Sequence, residues 1–113
     1  LGEVYTALGR VSAPYQNIQL AVDAFSEALT VFTVDDYPIK YANVSFDIGT
    51  AYTVLARISK SPDDIKSAEE AYERSLEIYK SNVYPYNHKD VQQNFLILQE
   101  IKNDIDSVKE PVL

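Results

Sequence analysis

The chain has 113 residues of which 46% are hydrophobic, enough for one core of modest size, so a wholly disordered chain is excluded. Its 10 Lys and Arg stand against 17 Asp and Glu, a net charge of −7, the wrong sign for a surface that holds nucleic acid or an anionic membrane. With no cysteine and the single histidine His88, a disulfide framework, a thiolate site and a multi-histidine zinc site are all excluded, and neither metal nor cofactor is expected.

The predicted elements are helices, about five of them. A short first helix covers residues 1–13 and a second covers 15–34, with Ile18, Ala21, Phe25, Ala28, Leu29 and Phe32 at three- and four-residue spacing. After Asp35-Asp36-Tyr37-Pro38, a third helix over 39–60 carries Tyr41, Val44, Ile48, Ala51 or Tyr52, Leu55 and Ile58. Pro38 suits its first turn. Ser61-Pro62-Asp63-Asp64 is a stop followed by a start: Ser61 as N-cap, Pro62 at the first helical position, two carboxylates against the positive helix end. The fourth helix, over 62–81, has the stripe Ile65, Ala68, Ala71, Tyr72, Ser75, Leu76 and Tyr79, with Glu69, Glu70, Glu73, Arg74 and Glu77 on the wet side and Glu70 paired to Arg74. Asn82-Val83-Tyr84-Pro85 leads to a fifth helix from about 86, with Val91, Phe95, Leu98, Ile101 or Lys102, Ile105 and Val108, which Pro111 ends.

An internal repeat organises these elements. An offset of 47 positions places Gly2 on Gly49, Tyr5 on Tyr52, Thr6 on Thr53, Leu8 on Leu55, Arg10 on Arg57 and Ser12 on Ser59. The same offset places Ile18 on Ile65, Ala21 on Ala68, Ala24 on Ala71, Leu29 on Leu76, Tyr37 on Tyr84, Pro38 on Pro85 and Val44 on Val91. The units are 1–36, 37–83 and an incomplete or capping unit 84–113 of one domain. Equally spaced helix pairs joined by short turns imply an all-α architecture, an α-solenoid of antiparallel pairs in which each pair buries its apolar stripe by stacking on the next.

Ile48-Gly49, Tyr52, Ala68, Tyr72, Ser75 and Pro85 in the middle unit, and Leu1-Gly2, Tyr5, Ala21, Phe25, Ala28 and Pro38 in the first, resemble the tetratricopeptide repeat. The period of 47 exceeds that family's common period of about 34 and implies longer helices; in the third unit Leu96 replaces the Gly and Gln99 the Tyr. The resemblance implies a right-handed superhelix in which Gly49 and Ala68 allow close helix approach and Tyr52 and Tyr72 fill the wedge. It also implies a concave groove, lined by the first helix of each pair, that receives a protein or peptide. Transferred to this chain, the groove comprises Asn43, Phe46, Asp47, Thr50, Thr53, Val54 and Arg57 in the middle unit. The first unit adds Thr6 and Arg10, with Glu3 and Ala7, and the third adds Gln93, Asn94 and Ile97, with Asp90 and Glu100. The clamp by which chaperone-binding members hold a terminal carboxylate is not matched, because Phe46 and Thr50 occupy two of its places.

No catalytic constellation is present. His88 has no nucleophile or orienting carboxylate signalled beside it, and Gly2, Gly9 and Gly49 do not cluster into a phosphate loop. Tyr5, Tyr41, Tyr52, Tyr72 and Tyr79 fall on packing positions, whereas Tyr15, Tyr37, Tyr84 and Tyr86 lie in or near connections and are freer to meet a partner. The expected role is therefore a non-enzymatic protein-protein interaction module. Two alternatives stay open: a scaffold or homo-oligomer stacking through open ends, to which the apolar run Phe95-Leu96-Ile97-Leu98 points, and the regulatory arm of a larger enzyme. No apolar run approaches the roughly 20 residues that span a bilayer. The chain lacks an initiator methionine and a basic apolar leader, so it is expected to be an excised piece of something longer, in the cytoplasm.

Overall fold

A computed structural model describes residues 14–109. They form four helices and, among the described residues, no strand: α1 (Pro14–Val31), α2 (Pro38–Ser59), α3 (Pro62–Ile78) and α4 (Pro85–Lys109). The helix expected over residues 1–13 and the stop expected at Pro111 lie outside the described residues. All four helices begin on a proline, whose fixed φ suits the first turn and whose missing N–H would have had no helical partner there.

The helix ends carry the repeat in their hydrogen bonds. Phe32 N–H donates to the Ala28 carbonyl (2.8 Å), Tyr37 N–H to Thr33 (2.8 Å) and Tyr41 N–H to Tyr37 (2.8 Å). Forty-seven residues on, Tyr79 N–H donates to Ser75 (2.9 Å), Tyr84 N–H to Lys80 (2.8 Å) and His88 N–H to Tyr84 (2.9 Å). The rings agree. Phe32 meets Tyr37 edge-on at 5.6 Å and Tyr79 meets Tyr84 edge-on at 5.4 Å. α1 and α3 end at Val31 and Ile78, three residues before the expected ends at 34 and 81, and at each end the ring at 32 or 79 folds back as a latch onto the tyrosine ahead of the next proline. Tyr84, expected to be freer to meet a partner, is instead half-buried in its latch, whereas Tyr37 makes its latch contact while 48% exposed and Tyr86 is exposed as well.

The turn between α2 and α3 is closed differently. Lys60 takes a left-handed conformation (φ 56°) and donates its N–H to the Ala56 carbonyl at 2.8 Å, which ends α2 without a glycine. Ser61 then caps α3 as expected, its hydroxyl accepting from Asp63 N–H at 3.2 Å. Asp64 accepts from the Ser59 hydroxyl at 2.6 Å, tying the two helices at their join. Both first-turn carboxylates also face the positive helix end.

Successive helices run antiparallel, so α2 and α4 run parallel and adjacent. The larger core lies between α2, α3 and α4, and buries Ala42, Ala56, Ile65, Ala68, Tyr72, Tyr79, Val91, Leu98 and Ile105. A smaller one joins α1 to α2 through Ile18, Val22, Ala51 and Leu55. Tyr72 is wholly buried at the centre. Its ring occupies the space a side chain on Gly49 would take: a Cβ there would lie 2.5 Å from two Tyr72 ring carbons. Glu69, expected on the wet side, is instead half-buried where α4 covers α3, accepting from the Gln99 amide at 3.2 Å and pairing with Lys102 at 3.5 Å. Arg74 does not form the expected pair with Glu70; its Nε is enclosed without a partner. The whole spans 53 × 34 × 19 Å, about two helix diameters in its thinnest direction.

Candidate partner-binding groove

The first turns of α2 and α4 meet over the end of α3, where Asn43, Phe46, Tyr79, Asn87, Asp90 and Val91 line a cavity of about 160 Å³. Tyr79 and Val91 are its buried floor, Phe46 is a half-buried wall, and Asn43, Asn87 and Asp90 are exposed at the rim. The Tyr79 hydroxyl donates to Asn43 Oδ1 and, at 3.5 Å, to the Ile39 carbonyl, so Asn43 keeps its amide N–H groups for the rim. Burial pushes the Tyr79 hydroxyl above the ordinary tyrosine value, and Tyr84 and Asp47 push the same way, so this group remains a hydrogen-bond donor at neutral pH.

From this pocket an open face continues along both helices. On α2 it carries half-buried Asp47, Thr50 and Val54 and exposed Arg57; on α4 it carries exposed Gln93, half-buried Asn94 and exposed Ile97. At 40% exposure, Ile97 is a large apolar side chain held at the surface. Thr50 is tied to its own helix, donating to the Phe46 carbonyl at 3.1 Å. Arg57 lies in the last turn of α2, where its charge also opposes the negative helix end.

One expected groove residue is placed elsewhere. Thr53 is buried, donating to the Gly49 carbonyl at 2.7 Å and facing the Tyr72 hydroxyl at 2.9 Å, so it fixes the central tyrosine and offers a partner nothing. It lies about 60° around α2 from Thr50 and about 100° from Val54, both of which stay half-buried. Thr6 and Arg10 lie outside the described residues. Tyr79 and Asn87 enter the site although the repeat register assigned one to packing and passed over the other. The available signal was positional: Asn87 belongs to the first turn of α4, three residues before Asp90.

Three larger depressions lie elsewhere among the described residues. Gln19, Val22, Asp23, Tyr52, Leu55, Asp64 and Ser67 line about 360 Å³ between α1, α2 and α3. Burial raises the Tyr52 hydroxyl there, Asp64 and Asp23 adding to it, so Tyr52 supplies no base. About 380 Å³ lies beside the Glu69–Lys102 pair, and about 340 Å³ beside Leu76, Gln92, Phe95, Leu96 and Gln99 on the outer side of α4. His88 is half-buried and its Nδ1–H donates to the Tyr79 carbonyl at 2.8 Å, the first carbonyl after α3. Among the described residues no three His, Cys, Asp or Glu side chains cluster as metal ligands, and no helix is long and apolar enough to cross a membrane.

Comparison with known proteins finds no matching family model, no matching curated protein and no matching solved structure.

Proposed function

We propose that this chain is a protein-protein interaction module of tetratricopeptide type, a right-handed α-solenoid that holds a segment of a partner protein in the groove along α2 and α4. The observation that carries this reading is the face shared by two parallel, repeat-equivalent helices, where Asn43 and Phe46 of α2 meet Asn87, Asp90 and Val91 of α4 in one pocket and Ile97 is kept at the surface. Apolar anchors of the partner would be buried there, and Asn43, Asn94 and Arg57 would order the polar contacts. The supporting chemistry is that of a binding surface and not of a reaction: the raised tyrosines are donors, and His88 is spent on a backbone carbonyl. The cytoplasm suits a cysteine-free chain of this kind.

A second reading, a scaffold that stacks through its open side, has its own observation. Leu96 is 64% exposed on the outer side of α4, in the register position of buried Gly49. Against it, Gln92, Gln99 and Asn103 stand where α2 packs Ser45, Tyr52 and Ala56, a polar exterior that suits a capping helix. Light scattering at several concentrations, with Ile97→Glu and Leu96→Glu variants, separates the two. The groove reading expects a mass near 12.8 kDa throughout and peptide binding abolished by Ile97→Glu alone. A mass that grows with concentration and is dispersed by Leu96→Glu would establish the scaffold instead.

A further inference from the structure

Resting on the groove reading, we infer that the bound segment is basic and that one of its Lys or Arg side chains enters the pocket between α2 and α4, its stem along Phe46 and Val91 and its charged head at Asp90 and the Asn87 carbonyl oxygen. The pocket is built in two halves that suit such a side chain: an apolar floor and aromatic wall below, acceptors at the mouth. Lys and Arg bury their methylene stems against apolar surface while their heads stay at a polar rim. An uncharged apolar side chain would fill the same floor but cover Asp90 without pairing it, at a desolvation cost.

The competing occupant is an anion, since the N-terminus of α4 is the positive end of a helix. Pro85 has no N–H and the N–H of His88 donates to the Tyr84 carbonyl, which leaves the N–H groups of Tyr86 and Asn87 as the donors of that end. An anion would meet the Asp90 carboxylate at the mouth. Lys89, the neighbouring basic residue, is about 100° around the helix from Asp90.

Charge along the rest of the groove points the same way. The face of α4 that carries Asp90 and Ile97 continues to Glu100 and Asp104, both exposed, while Lys102 is turned to Glu69. Arg57 at the far end of α2 is the opposing charge on the described groove face, and the chain as a whole carries −7. A field of one sign along a groove steers oppositely charged segments into it and fixes their register.

Selection of random peptides displayed against the full chain, followed by affinity measurement on the peptides recovered, tests this. The expected result is Lys or Arg enriched at one position. Replacing it by Gln should weaken binding about tenfold, and Asp90→Asn should do the same, with no further loss when both changes are combined. Peptides that bind and are lost on Ile97→Glu, yet show no basic position or no coupling to Asp90, would overturn this inference and leave the groove. Failure to recover any peptide sensitive to Ile97→Glu would overturn the groove and the inference together.

Discussion

Tyr72 shows how much of this molecule is decided by single side chains. Gly49 is required because the Tyr72 ring fills the space its Cβ would need, so Gly49→Ala sets a helix-propensity gain of up to about 1 kcal/mol against overpacking of about 1–3 kcal/mol. Overpacking wins, because the clash falls on ring carbons of a wholly buried side chain: the variant is expected to lose about 1–2 kcal/mol in urea unfolding, and an unchanged midpoint would contradict the packing. Ser75 is the opposite case. Its hydroxyl is fully buried with no hydrogen-bond partner, and the preceding unit has Ala28 at that position. Ser75→Ala is therefore expected to stabilise by roughly 1 kcal/mol, read from the same unfolding curves, and a loss of stability would mean that the hydroxyl is paired. Gly49 and Tyr72 were each legible as packing positions from the repeat, but Gly49 was matched with Ala68 and Tyr72 with Tyr52, and only the structure shows the Tyr72 ring lying on Gly49. The role of Thr53 was not legible, because threonine serves a wet surface and a buried hydroxyl pair equally well, and only the tertiary position of Tyr72 decides between them.

At the level of helices and turns, composition settled starts better than stops. Prolines at 14, 38, 62 and 85 announce each helix among the described residues, and Ser61 with Asp63 and Asp64 adds a cap that the structure contains. The stops carry no such mark. Lys60 ends α2 in a left-handed conformation that costs an L-residue about 1–2 kcal/mol, and nothing in a lysine advertises it. Lys60→Gly relieves that cost but loosens the unfolded chain, so a net gain of a few tenths to about 1 kcal/mol is expected from thermal unfolding; destabilisation would show that the lysine side chain holds the turn. The latches at the ends of α1 and α3 were hidden for another reason. The apolar period passes through Phe32 and Tyr79 unbroken, and the meeting of those rings with Tyr37 and Tyr84, where the backbone leaves the helix, is visible only in the structure.

For the molecule as a whole, the tyrosines make stability depend on pH. Burial is the largest cause in raising Tyr41, Tyr52, Tyr72 and Tyr79 above the ordinary value. The unfolded chain ionises its tyrosines near pH 10, so above that pH it releases protons that the folded chain retains. Stability is thus fully present below about pH 10 and falls as pH rises through the raised folded values. The urea midpoint should drop as the pH rises above about 10, and less steeply in Tyr72→Phe; a flat profile would mean these hydroxyls are as exposed in the fold as out of it. The all-helical architecture and the 47-residue period were legible because the repeat states each element twice. The groove was legible only as a face, since helical period assigns residues to a side but cannot say that Asn87, Tyr79 and Asp90 close into a pocket where two units meet. Amide chemical-shift mapping with a peptide selected against the full chain tests that assignment most directly. The account predicts shifts at Asn43, Phe46, Val54, Asp90, Asn94 and Ile97 on α2 and α4. Shifts confined instead to Leu76, Gln92, Leu96 and Gln99 would place the binding surface on the outer side of α4 and contradict it.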